Sequence, residues 1–353
     1  MSRPARAVVD VERRTALNGA RLAGLVAGRW GAADRQRGAL GATATLLDPP
    51  AAGGTRRAGW VLPDGPAARA LGPALVWADR HGVADLHVLA EPGASEAGTL
   101  ARQASLFADG PTVWAVEGTT LAPAAPVPAP RPVAPPAPPE LVDLLIDAGL
   151  EIVAEGGMLR GEVNGLEVAR IVQDETTAGV LIDEPQIEVG VGKADRELTA
   201  MVHGGMAPVA QIERVAAIVR RHRRPGAPRH PLNQLVPDRW LRAVLCRAPH
   251  LVGLASLRPA EGPRPRPDLS ERDIAVAAGR APDGSPAVVA CSVGVAADLV
   301  PVAADARATI DPAARLLLAV PERDDHPATR RLTARLRAPA EVVPVPGDWR
   351  AAA

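Results

Sequence analysis

Tyrosine is absent from the 353 residues, phenylalanine occurs once (Phe107) and lysine once (Lys193). The other thirty-nine basic residues are arginine, and six tryptophans carry almost all of the aromatic packing. Cysteine occurs only as Cys246 and Cys291, without metal-type spacing. That excludes a zinc motif and a disulfide framework, and points to reduced thiols in a cytoplasmic protein. The formal net charge is zero, so any affinity for nucleic acid must come from a local patch. No run approaches the roughly 20 apolar residues needed to cross a bilayer. The first residues, MSRPARAVVDVERRTAL, lack the apolar stretch of a signal peptide. No nucleophile elbow, dinucleotide fingerprint or His-x-x-x-His pair is present. The segment Val189–Lys193 (VGVGK) lacks the glycine spacing of a phosphate loop.

The skew toward Ala, Pro, Gly and Arg is that of a GC-rich coding sequence, which depletes Lys, Ile and Met together. Against that background, seven of the nine isoleucines, Lys193 and all three internal methionines lie within 141–218. Either function, or chance together with a β-rich core that prefers isoleucine, accounts for this.

Residues 122–139, half of them proline, favour extended polyproline II and are expected to act as a semi-rigid spacer. Around it the chain reads as three blocks: 1–121, 140–226 and 229–347. The first and third share a β-α-β-α-β pattern. Strand 58–65, helix 66–82, strand 86–91, helix 99–107 and strand 112–118 have counterparts at 287–294, 297–310, 316–322, 328–337 and 341–347. Short apolar strands joined by helices imply parallel pairing with both sheet faces covered, and the matched spacing suggests an internal pseudo-repeat.

Upstream, residues 231–246 read as a helix, 251–259 as a strand, and 271–294 as two strands joined at Asp283-Gly284. The order α-β-β-β-α-β-α-β resembles the PD-(D/E)XK nuclease superfamily, the restriction-endonuclease-like fold. The resemblance lies in element order over about 120 residues. In that family an Asp on the second strand and an acid-x-Lys triplet on the third hold a divalent metal beside the scissile phosphate. Carried over, Asp273 matches the Asp, while the triplet falls on Ala290, Cys291 and Ser292. None of these is an acid or a lysine, so the resemblance implies a degenerate, non-catalytic relative. The chain also resembles conserved proteins of high-GC actinobacteria, which implies no activity.

The middle block holds the densest chemistry. Asn164-Gly165 signals a two-residue type I′ hairpin, which pairs Val163 with Leu166 and sets Glu162 opposite Glu167. Opposed like charges destabilise a sheet unless neutralised. Arg160, a bound cation or solvation at the hairpin tip could each do so. In QIEVGVGKADRELTAMVHGG a strand runs into a helix. Ile187, Val189, Val191 and Lys193 share one face, Glu188, Gly190 and Gly192 take the other, Asp195 is a candidate cap and Gly204-Gly205 a stop. Glu162, Glu167 and Glu188 are therefore candidate metal ligands, and Lys193, Glu167 and Glu188 candidate catalytic groups. A helix from Val209 then ends in Arg220, Arg221, Arg223 and Arg224. With Arg214 and Arg229, these arginines form a stretch free of acids from 214 to 237.

The expected architecture is α/β: two restriction-endonuclease-like βαβαβ domains in pseudo-repeat, flanking a smaller α+β module. The expected function is non-catalytic binding of DNA or another protein through Arg214, Arg220, Arg221, Arg223, Arg224 and Arg229, away from any membrane. The alternatives are a metal-dependent nuclease or phosphodiesterase, with Mg or Mn held by the middle carboxylates beside Lys193, and a structural assembly protein.

Overall fold

The structure, a computed structural model, describes residues 3–352 except 42, 50–56, 92–93, 135, 174, 178–179, 183, 204–206, 265–268 and 270–272. It is mixed α/β, and its described residues form three sheets of four or more strands and a separate two-stranded ribbon, none closed into a barrel. The chain divides into two compact units. One contains residues 1–129, 297–305 and 326–340. The other contains the remainder, so the middle block and the sheet of the third block fall together.

In the first unit a long helix α1 (Arg3–Trp30) precedes β1 (Gln36–Leu40), β2 (Thr43–Leu47) and β3 (Arg57–Leu62). Helix α2 (Leu71–His81), β4 (Val83–Ala90), α3 (Ala94–Ala104), β5 (Thr112–Glu117) and β6 (Thr120–Pro123) follow. The six strands lie in sequence order. Strands β1, β2 and β3 pair antiparallel, β3, β4 and β5 parallel, and β6 returns antiparallel. Leu22, Leu25 and Val26 of α1 bury against Trp60, Leu89 and Trp114 of the sheet. Trp30, Trp60 and Trp114 surround His87, whose Nδ1 accepts the Trp114 indole N–H at 3.3 Å.

In the second unit α4 (Pro139–Asp147) leads into β7 (Glu151–Glu155), β8 (Met158–Val163) and β9 (Leu166–Val172). The ribbon β10 (Glu175–Thr177) and β11 (Val180–Ile182) precedes β12 (Gln186–Val189), α5 (Gly192–His203) and α6 (Pro208–His222). The expected stop Gly204-Gly205 lies outside the described residues. Strands β12, β9, β8 and β7 form one antiparallel sheet in that order. Its apolar face carries Val163, Leu166 and Ile171 and packs with Leu145 of α4 and Ile212, Ala216 and Val219 of α6. Both α4 and α6 begin at a proline, whose missing N–H costs nothing in a first turn.

Helix α7 (Pro237–Arg247) then opens a five-stranded sheet of β13 (Ser256–Pro259), β14 (Ala275–Arg280), β15 (Pro286–Cys291), β16 (Arg315–Pro321) and β17 (Ala340–Val345). Helix α8 (Leu299–Ile310) joins β15 to β16 and α9 (Pro327–Ala334) joins β16 to β17. The start of α8 and all of α9 nevertheless belong to the first unit. There Asp305 is buried and accepts from Arg102 at 2.8 Å and Gln103 at 3.3 Å, and Arg331 pairs with Asp79 at 2.8 Å.

The ends of the proline-rich segment enter regular structure. Its first residues form β6, and the Val127 N–H donates to Gly98 O at 3.2 Å. Its last prolines start α4.

The Asn164-Gly165 turn forms as the sequence indicates, with φ of 48° and 74°. It also meets α7 closely: a Cβ on Gly165 would lie 2.3 Å from the Arg239 carbonyl carbon. Gly226, at φ 67°, has open space instead. Gly226→Ala should therefore cost about 1–2 kcal/mol, the left-handed backbone penalty alone. Gly165→Ala should cost about 1–3 kcal/mol more from the clash. Urea unfolding of the two variants measures the difference, and equal losses would mean that the turn does not seat against α7.

Candidate functional site

One face of the four-stranded sheet is charged. Cross-strand pairing sets Glu151, Glu162 and Glu167 side by side across β7, β8 and β9. Below them lie Arg160, Arg170 and Glu188, on β8, β9 and β12. A bulge makes this arrangement. The pairing shifts between Gly161 and Glu162, leaving Val168 as an extra residue in β9. In an unbroken ladder Arg170 would oppose Leu159 and point to the apolar face. With the bulge it opposes Arg160 and joins the acids.

Glu162 and Glu167 are each only 1% exposed, so neither charge is solvated. Arginines neutralise both. Glu167 accepts from Arg160 on its own sheet and from Arg196 of α5 at 2.8 Å. Glu188 pairs with Arg170 at 2.8 Å and with Arg196 at 3.4 Å. Glu162 accepts from Arg239 and Arg242 of α7, each at 3.3 Å. The same two arginines hold Glu155, Arg242 at 2.9 Å. Glu151 pairs with Arg247 one turn further along α7. Charge-assisted pairs of this kind are the strong hydrogen bonds, and a guanidinium can serve two acceptors at once.

Burial opposes the Glu155 charge, but Arg239 and Arg242 outweigh it and hold the carboxyl far below its ordinary value of 4.5. Burial also works against the Arg242 charge, and Glu155 and Glu162 outweigh it, raising that pKa. Burial pulls Arg196 down; Glu167 and Glu188 resist, and repulsion from Arg170 and Arg160 adds to the fall.

A cavity of about 700 Å³ opens on this face. Six basic side chains line it (Arg160, Arg170, Lys193, Arg196, Arg239 and Arg264) against three acids, Glu155, Glu167 and Glu261. Glu261 accepts the Gly156 N–H at 2.8 Å, and burial raises its pKa.

Of the residues singled out in the sequence, Glu162, Glu167 and Glu188 share the charged face, each engaged by arginine. Lys193 lines the same cavity but takes no part in their ion pairs. Helix α5 begins at Gly192, so Lys193 sits in its first turn, 87% exposed and 4.0 Å from Glu197. Asp195 reaches back to the Val191 N–H at 2.6 Å. Among the described residues no three His, Cys, Asp or Glu side chains gather as a metal site.

The arginine stretch divides. Arg223 is fully buried and must be withdrawn from the surface set. Its guanidinium donates to the carbonyls of Asn164, Leu232 and Leu235 at 2.7–3.1 Å and lies 4.6 Å over the Trp240 ring. Burial pushes it down to about 9, so it stays protonated at neutral pH. Arg220 donates to Ala148 O and Gly149 O behind α4. Arg214, Arg221, Arg224 and Arg229 are exposed. Asp273 pairs with Arg264 at 2.6 Å, while Ala290 and Ser292 are buried at the end of β15.

Sequence reasoning missed Arg196, Arg239, Arg242 and Glu155. One signal was available: Arg239 and Arg242 lie three apart on a helix, hence on one side of it, and the opposed glutamates required cations from somewhere.

Comparison with protein-family models, curated proteins and solved structures finds no match to this chain. No helix among the described residues is long and apolar enough to cross a membrane.

Removing Glu162 leaves Arg239 and Arg242 to share Glu155 alone. Glu162→Ala should cost about 3–5 kcal/mol, the usual loss on breaking a buried pair, measured by chemical denaturation. A loss below about 1 kcal/mol, as for exposed pairs, would show the face to be solvated. The depressed Glu155 also sets a pH dependence. Its contribution is present above the unfolded value near 4.5 and is lost as pH falls from there toward the folded value. Stability should therefore decline below about pH 4.5. The slope should be shallower in Glu155→Gln, and an unchanged slope would remove Glu155 from the linkage.

Proposed function

We propose that this chain is a non-catalytic nucleic-acid-binding protein built on nuclease-like α/β sheets. The observation that carries this reading is how the arginines are used. Glu162, Glu167 and Glu188, the carboxylates a metal-dependent phosphodiesterase would need, are each held by two guanidiniums or more. Arg214 midway along α6, and Arg221, Arg224 and Arg229 around its end, are meanwhile exposed. A phosphate backbone is attracted to such a patch without any sequence-reading element.

Two features support the nuclease-like ancestry. Strands β1 to β5 and β13 to β17 follow the same spatial order, and in each set the first two pairings are antiparallel and the third parallel. Helices α2 and α8, and α3 and α9, occupy the same intervals, and α1 and α7 precede each set. This is the α-β-β-β-α-β-α-β plan expected of a restriction-endonuclease-like pseudo-repeat. The positions of its metal triplet hold Ala290, Cys291 and Ser292. Free Cys246 and Cys291 suit a cytoplasmic location.

The test is a gel shift with labelled single- and double-stranded DNA in EDTA across a salt series. A salt-sensitive shift without cleavage is expected. The triple variant Arg221→Gln/Arg224→Gln/Arg229→Gln should lower the slope of log affinity against log salt by about 2–3, near 0.9 per lost contact. No shift at low salt would discard the reading and leave a protein partner as the better account. Cleavage restored by Mg or Mn would favour the nuclease reading.

A further inference from the structure

The cavity on the charged face shares no residue with the exposed arginine patch of α6. We propose that it binds a phosphomonoester of nucleotide size, with the phosphate at the start of α5.

Four observations converge. First, the lining holds twice as many basic as acidic side chains. The acids among them are already committed, Glu155 to Arg239 and Arg242, Glu167 to Arg160 and Arg196, and Glu261 to the Gly156 N–H. Second, donors remain. Arg239 is 2% exposed, yet its Nε–H is buried without a partner among the described residues. Arg160 and Arg196 bond through Nε and Nη1, and each keeps an Nη2 group with no partner among the described residues. The Arg239 Nε–H is sealed from the cavity, whereas the Arg160 and Arg196 Nη2 groups are not and can donate to an anion there. Third, Gly192, Lys193 and Ala194 line the cavity, so the first turn of the twelve-residue α5 opens onto it. The initial N–H groups of a helix have no intrahelical acceptors, and its dipole favours an anion there. Gly192, at φ 79°, permits that approach. Fourth, the volume exceeds what inorganic phosphate needs, and Met158, Val191, Leu235 and Leu269 give the cavity an apolar wall. About 300–1,000 Å³ with a few convergent polar groups is the usual scale of small-ligand sites.

The chemistry required is binding alone. Arg196 is the group to gain most, because Arg160 and Arg170 already crowd its charge.

The experiment is isothermal titration of the full chain with adenosine monophosphate, ribose 5-phosphate and inorganic phosphate. Two variants keep the fold intact. Ala194→Asp places a carboxylate at an exposed first-turn position, where a helix tolerates it, and Lys193→Gln removes an exposed charge. At least one ester should bind more tightly than inorganic phosphate. Each variant should weaken it about ten-fold, equivalent to about 1.4 kcal/mol, without a change in melting temperature. The triple arginine variant of the α6 patch should leave ester binding unchanged, and Ala194→Asp should leave the DNA shift unchanged, so the two sites fail or stand separately. Absence of binding by all three probes would overturn the proposal. So would binding that both variants leave intact, or esters held no more tightly than inorganic phosphate.

Discussion

Three glutamates side by side on a buried sheet face are the constraint around which the second unit is built. Glu151, Glu162 and Glu167 repel one another across β7, β8 and β9, and at Glu162 and Glu167 no solvent screens them. Burying such charges without partners costs far more than a small domain has to spare. The cations come from elements that must then dock in one way: Arg196 from α5, and Arg239, Arg242 and Arg247 from α7. A buried pair adds little net stability over an apolar contact, but it strongly penalises a misplaced partner. Its effect here is to fix where α5 and α7 sit on the sheet.

Helix α7 shows how that constraint spreads. Trp240, Leu241, Val244 and Leu245 bury in the core of the five-stranded sheet, while Arg239 and Arg242 turn to the charged face of the four-stranded one. One helix of eleven residues therefore serves two sheets. Its start is further held by Arg223, which ties the carbonyls of Leu232 and Leu235 to the Asn164 turn, and by Gly165, which lets that turn approach. The backbone reaches a left-handed Val236, at φ 37°, just before the helix. A branched residue is strained there, and the surrounding contacts hold it in place.

The near-exclusive use of arginine suits this architecture. A planar guanidinium with five donors can bridge two carboxylates, as Arg239 and Arg242 do between Glu155 and Glu162, or gather several carbonyls, as Arg223 does. A lysine ammonium would hold such geometry poorly. The single lysine stands outside that network, exposed in the first turn of α5. Arginine thus does two kinds of work in one short stretch. Arg223 is internal structure, whereas Arg221 and Arg224 on either side of it face water.

The sequence alone determined what depends on neighbouring residues. The Asn164-Gly165 turn, the Glu162–Glu167 opposition, the face taken by Glu188 and the strands from 58 to 118 and from 287 to 347 all follow from local backbone preference and periodicity. So did Arg160 as one neutralising partner, since it lies two residues from Glu162 on the same strand. Tertiary structure decided the rest. The bulge at Val168 moved Arg170 onto the acidic face, and no periodicity announces an extra residue. Only the approach of α6 to the hairpin turn separated buried Arg223 from its exposed neighbours, which local sequence cannot distinguish. Glu155 met Arg239 and Arg242 from more than eighty residues away, and the start of α8 and all of α9 joined the first unit rather than the block that encodes them. Burial and charge pairing are settled by which surfaces meet, and a chain read one residue at a time carries only the list of groups that will need partners.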